Sequence, residues 1–136
     1  MNQLEKILKD KGYRLTSPRK QVFSTLERAG HPLSLADLSK TVEEVDRTSI
    51  YRTIELFSTL GIIEILHIGW KKQYELASPF QPHHHHLRCT NCNKLVTVDL
   101  PELERAVEDF AHSYGFSLTS HTIELLGLCP DCKNTN

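Results

Sequence analysis

Between Leu4 and Leu60 the apolar positions recur at the three-and-four spacing of helices; beyond Gly61 the pattern shifts to short β-rich runs. Leu4, Ile7 and Leu8 mark one face of a first helix ending around Lys11, with Gly12 as the residue just past it. Ser17 as N-cap and Pro18 at the first helical position open a second, whose buried face is Val22, Phe23, Leu26 and Ala29 and which Gly30-His31-Pro32 stops. A third begins at Ser34, with Asp37 in the capping-box position and Leu35, Leu38 and Val42 inside. In the fourth, after Asp46-Arg47-Thr48, the residues Ile50, Ile54, Phe57 and Leu60 form one stripe and Gly61 ends it. The opposite face carries Thr48, Ser49, Tyr51, Arg52 and Glu55, a set of hydroxyls, an aromatic ring and a guanidinium suited to base edges and phosphates. A hairpin follows: Ile62 to Ile68 out, a turn over Gly69-Trp70-Lys71-Lys72, and Gln73 to Leu76 back.

Helices ending in an exposed, hydroxyl-rich one and followed by a hairpin predict a winged helix-turn-helix domain over residues 1–76, with Lys71 and Lys72 near the wing tip. Residues 77–82 hold two prolines and no periodicity and read as a linker. From His83 the chain predicts a strand, a cysteine knuckle, the strand Leu95 to Val98, and a helix opened by Pro101 with Leu103, Ala106, Val107 and Phe110 buried. A last strand is expected from Phe116 to about Leu126. The fold class is thus α+β, with a small C-terminal α/β domain over 83–136 that is too small to be comfortable alone and would gain from a structural metal and a dimer partner.

Composition is that of an ordinary globular protein. No apolar run reaches membrane-spanning length and the start shows no signal-peptide pattern, so the expected location is cytoplasmic. Disulfides are uncommon there, so the four cysteines read as thiolate ligands. The net charge of −1 hides an asymmetry: 12 Lys/Arg against 9 Asp/Glu up to Lys72, and 4 against 8 after it. That division suits polyanion contact in front and cation capture behind.

The stretch from His83 to Cys92 packs six potential ligands into ten residues. In an extended segment neighbouring side chains point to opposite faces, so His83 and His85 serve one site and His84 and His86 another. Cys89, Cys92, Cys129 and Cys132, two C-x2-C pairs, predict a closed tetrahedral Zn2+ site of structural type. Glu104 and His121 are the available candidates to partner His83 and His85, a donor set that holds Zn2+ or other late divalent metals. For His84 and His86 the expected partners lie in the front half, among Glu64, His67, Glu75 and His31, so that a cation there would tie the halves together and control DNA binding without touching DNA.

With these motifs in place the chain resembles the ferric uptake regulator family of metal-dependent bacterial repressors. The residues that carry the resemblance are Arg14 to Arg19, Thr48 to Thr53, His83 to Cys92, and Ser120 to Glu124 followed by Cys129 and Cys132. It implies Tyr51 and Arg52 on bases and backbone, Arg14 in the minor groove and Arg19 on a phosphate. It implies an inter-strand metal site at His83, His85, Glu104 and His121, and a sensing site at His84 and His86 with Glu64, His67 or Glu75. It also implies structural zinc at the cysteines, a homodimer, a palindromic double-stranded operator, and metal as corepressor. The all-histidine run and the Ser120 to Glu124 segment are similar to zinc uptake regulators, with iron-responsive members next. Thr97 stands where peroxide-sensing members place an acidic iron ligand, which counts against that branch.

Two other classes fit parts of the chain. A metal-dependent hydrolase would use an open His/Glu site with bound water, but no general base is placed beside one. A non-DNA interaction module would use zinc only for folding. Variants at Tyr51 and Arg52 discriminate the latter from a repressor.

Overall fold

The computed structural model describes residues 2–134 and divides into two compact units, with the break between Pro82 and His83. In the first, α1 (Asn2–Asp10), α2 (Ser17–Ala29), α3 (Leu35–Thr41) and α4 (Arg47–Thr59) surround one core with a three-stranded antiparallel sheet. Leu4 and Leu8 from α1, Val22 and Phe23 from α2, Leu38 from α3 and Ile50, Ile54 and Phe57 from α4 meet there, as the helical spacing predicts. Phe80, from the proline-rich segment, packs edge-on against Phe23 with ring centroids 5.0 Å apart.

The caps are built as their residue types allow. Ser34 accepts from the Asp37 N–H at 3.1 Å while Asp37 accepts from the Ser34 N–H at 3.0 Å, a reciprocal capping box. These hydrogen bonds, the backbone one first, hold the Asp37 carboxyl below its ordinary value. Asp46 caps α4 by accepting from the Ser49 N–H and hydroxyl. For α2 the cap is Thr16 rather than the expected Ser17. Ser17 is already helical and its hydroxyl accepts from Gln21 Nε2 at 2.9 Å; Pro18 tolerates the shift because the first N–H groups of a helix have no intrahelical acceptor.

The sheet is ordered β1 (Leu33–Ser34), β3 (Lys71–Leu76), β2 (Ile63–Ile68). The two-residue β1 carries no readable alternation and was not expected from the pattern. The hairpin turn is tighter than anticipated: Ile68 pairs with Lys71, leaving only Gly69-Trp70 at the tip, and Lys71 and Lys72 belong to the returning strand. Gly69 has φ +62°, the left-handed conformation such a turn favours.

The second unit is a sheet ordered β5 (Leu95–Val98), β4 (His85–Cys89), β6 (Glu124–Gly127), with α5 (Pro101–Ser113) and a single-turn α6 (Pro130–Lys133). β5 is antiparallel to β4, whereas β6 runs parallel to it. The structure departs from the sequence pattern at the last strand and at α5. The last strand spans Glu124–Gly127 alone, because a strand exists only where it finds a ladder partner and residues 116–123 find none. The apolar face of α5 is not buried: none of its residues is, and Phe110 is 66% exposed. Of the buried apolar side chains among the described residues, all but Cys89 belong to the first unit.

Candidate metal centres and nucleic-acid interface

Cys89 ends β4, Cys92 follows in the knuckle Thr90-Asn91-Cys92-Asn93, and Cys129 and Cys132 flank the start of α6, which the parallel β6 delivers to the same end of β4. Asn93 takes the left-handed conformation that closes the knuckle, φ +64°, and donates to the Cys89 carbonyl at 2.9 Å. The four sulfurs all lie within 4.8 Å of one another and none forms a disulfide. The Cys92–Cys129 separation is 3.8 Å. A tetrahedral ion with metal–sulfur bonds of about 2.3 Å sets edges of about 3.8 Å. The donor set therefore fits zinc.

The electrostatics divide the set: one thiolate is favoured and another opposed. Backbone N–H groups of Cys92 and then Cys129 lower the Cys89 thiol to about 6. Asn91 Nδ2 donates to Cys132 Sγ at 3.2 Å and draws it down, but the Cys129 sulfur, burial and the other two sulfurs together push Cys132 up to about 12. A cation bound among the four sulfurs would offset this mutual repulsion.

The second centre gathers around Glu104, in the first turn of α5, where the helix dipole favours an anion. His83 Nε2 is 3.2 Å from Glu104 Oε1, His121 Nε2 is 2.7 Å from Oε2, and His85 also contacts the carboxylate. His83 and His121 present their Nε2 atoms 3.1 Å apart. Donors about 2.1 Å from a tetrahedral ion lie about 3.4 Å from each other; the 3.1 and 3.2 Å separations approach that edge, while the His121 and His85 contacts to Glu104 are closer hydrogen bonds that an ion would open. His85 is 3% exposed, which fixes the inner side of the site. Burial alone would raise the Glu104 carboxyl; the hydrogen bond from His85 and the charges of His83, His121 and His85 outweigh it and lower it.

His84 and His86 share the other face, with ring centroids 4.8 Å apart and planes at 84°. His83 and His84 precede β4 rather than lying in it, yet the alternation holds: the His83 and His85 rings are 4.7 Å apart on their own side. On the hairpin, Glu64 stands opposite Glu75, so the two carboxylates share a face, while His67 stands opposite Lys72. Three positions after Glu64, His67 projects from the reverse face. One ion cannot draw on Glu64, His67 and Glu75 together, and among the described residues neither Glu64 nor His67 belongs to a cluster of three or more potential ligands. His31 contacts the Pro32 carbonyl at 3.0 Å through Nδ1.

Of the residues expected to read DNA, Arg19, Tyr51 and Arg52 fall on one cleft of the first unit, whereas Arg14, Thr48 and Ser49 lie outside it. Tyr51, Arg52 and Glu55 of α4 line it together with Tyr13, Arg19, Lys72 and Tyr74. Tyr51 is 48% exposed, and its hydrogen bond to Glu55 and that carboxylate's charge raise the phenol, which stays protonated at neutral pH. Arg19 donates to the Arg14 carbonyl at 2.7 Å and lies 5.5 Å over the Tyr13 ring, so its guanidinium is held in place. Thr48 and Arg14 are exposed, but Ser49 is engaged with Asp46 and acts as a cap partner. No local pattern marks Tyr13, Lys72 or Tyr74 as site residues; only the sheet register brings the two hairpin residues to the helix.

A family model described as the ferric uptake regulator family matches residues 10–126. The chain is similar to the ferric uptake regulation protein of Campylobacter jejuni subsp. jejuni, 30% identical over 98% of this chain and 88% of that protein. Among solved structures, the Vibrio cholerae ferric uptake regulator aligns with a TM-score of 0.75 and 29% identity over 93% of this chain and 99% of that one. The Helicobacter pylori regulator, described as having three functional metal binding sites, shares the fold at a TM-score of 0.82 and 24% identity, over 98% and 91%.

Proposed function

Because the chain belongs to the ferric uptake regulator family, we propose that it is a homodimeric, metal-dependent repressor of metal-uptake genes that binds a palindromic operator in the cytoplasm. It is a metal-responsive transcription regulator and not an enzyme. The carrying observation is the convergence of three imidazoles and a carboxylate on one point, in a chain that also presents Tyr51 and Arg52 on an exposed helix face.

The cysteine site would hold zinc and clamp the segment after β6 onto β4. His83, His85, Glu104 and His121 would hold a second divalent ion, Zn2+ first and Fe2+ next, and His84 and His86 would supply imidazoles to the sensing ion. Bound there, a metal contributes coordination bonds to one conformational state in preference to others. A hundredfold gain in operator affinity needs about 2.7 kcal/mol of such preference. A second copy is favoured by the bare apolar surface of the second unit: Val96, Leu87 and Leu125 form a row across one sheet face, each about two-fifths exposed, and Phe110, Tyr114 and Phe116 are more exposed still.

The test is fluorescence-anisotropy titration of double-stranded DNA selected from a random pool, at buffered free Zn2+, Fe2+ or Mn2+ and with a chelator. Binding that requires one of the ions supports the reading; equal binding in chelator refutes it.

A further inference from the structure

The chain has one tryptophan, and it sits where burial is least possible: Trp70, at the hairpin tip, is 104% exposed. Large aromatic rings are ordinarily mostly buried, and one held fully in water at a tight turn contributes nothing to this unit's core. Its neighbours along the strand are Lys71 and Lys72, both exposed. Lys72 lines the same cleft as Tyr51 and Arg52 of α4, so the hairpin flanks the helix face that meets DNA. The tip is slim, since the residue beside the indole is Gly69 and the loop has only two residues.

We propose that Trp70 is a DNA contact: its indole inserts into the minor groove beside the major-groove segment read by α4, while Lys71 and Lys72 meet the flanking phosphates. The inference rests on the DNA-binding reading above and extends it to a residue outside the helix. An aromatic ring is about 3.4 Å thick and a B-form minor groove about 6 Å wide, so the ring enters edge-first where the backbone of a ribbon would not. Apolar side chains wedged there are a recurring device of minor-groove binders, and lysines at the rim supply counterion release.

The experiment uses the full-length, metal-loaded protein and a duplex selected by it from a random pool. Because Trp70 is the sole tryptophan, its emission reports on that residue alone. The expected results are a shift of emission and loss of acrylamide quenching on DNA addition, reversal by a minor-groove-binding drug, and about tenfold weaker binding for Trp70→Ala, with Trp70→Phe retaining most of the affinity. The melting temperature of both variants should match the parent, since the side chain packs on nothing. An indole equally quenchable in free and bound protein, or Trp70→Ala binding within about twofold of the parent, overturns the inference while leaving the repressor reading intact. A pool that yields no enriched duplex overturns both.

Discussion

Removing the ion from the four-cysteine site should unfold the second unit and spare the first. A fully buried Leu, Ile or Phe side chain contributes about 1.5–3 kcal/mol, and the first unit has a continuous cluster of them whereas the second has only Cys89 among its buried apolar residues. What remains to hold β4, β5 and β6 is their ladder, the partner subunit and the metals. Structural zinc in small domains contributes on the order of 10–16 kcal/mol of apparent folding free energy at neutral pH, far more than a four-residue strand such as β6. The perturbation is Cys92→Ser, or a strong chelator on the parent protein. The assay is hydrogen exchange by mass spectrometry, following amides of β4 and β6 and the Thr90 N–H just past β4, which donates to the Gly127 carbonyl, against those of α2 and α4. Protection in β4 and β6 should fall at least about a hundredfold while α2 and α4 change by less than about twofold. Repeating it at protein concentrations about a hundredfold apart separates dimer stabilisation from metal stabilisation. If β4 and β6 stay protected without zinc at the lower concentration, the ion is not what holds this unit together.

Glu104→Ala should remove one metal equivalent in isothermal titration while leaving the cysteine-bound zinc, and weaken that site by more than the 10–100-fold typical of outer-shell partners; unchanged stoichiometry would count against the four-residue centre. Tyr51→Ala and Arg52→Ala should each weaken operator binding by about 5–150-fold, the worth of a specific base contact, without altering circular dichroism, because both side chains are exposed. For the α3 cap, Asp37 titrates below its ordinary value of 3.8 in the folded protein, so its contribution is present above that value and is lost as pH falls through the lowered one. The stability gap between parent and Asp37→Asn in urea unfolding should therefore be full at neutral pH and close in acid; a gap that widens in acid would contradict the sign.

Much of this was legible because the signals were local. The helical stripes of α2 and α4, the Ser34/Asp37 box and the paired cysteines each depend on residues a few positions apart. For the His83/His85/Glu104/His121 set, strand alternation pairs the two histidines, while Glu104 and His121 are candidates that the family resemblance selects from several acidic and histidine residues nearby. The misses share a cause. Periodicity says which side of α5 is apolar but not whether a single chain covers it, so Phe110 was expected inside and is outside. Residues 116–123 are rich enough in β-formers to suggest a strand, yet pairing depends on β4, far away in sequence, and it reaches only Glu124–Gly127. Glu64, His67 and Glu75 are alternative partners for His84 and His86 on chemistry alone; the register places His67 on the opposite face from the other two.

The eight residues before β6 have no regular structure of their own, yet one of them, His121, is fastened to the Glu104 carboxylate. A backbone outside any ladder is the shape a protease active site accepts, and how long it stays pinned depends on whether the anchor at His121 is tight. Cleavage between Phe116 and Ser120 should thus act as a clock for occupancy of the second centre, slow when loaded and fast when stripped, and could be read on a gel without any DNA in the tube.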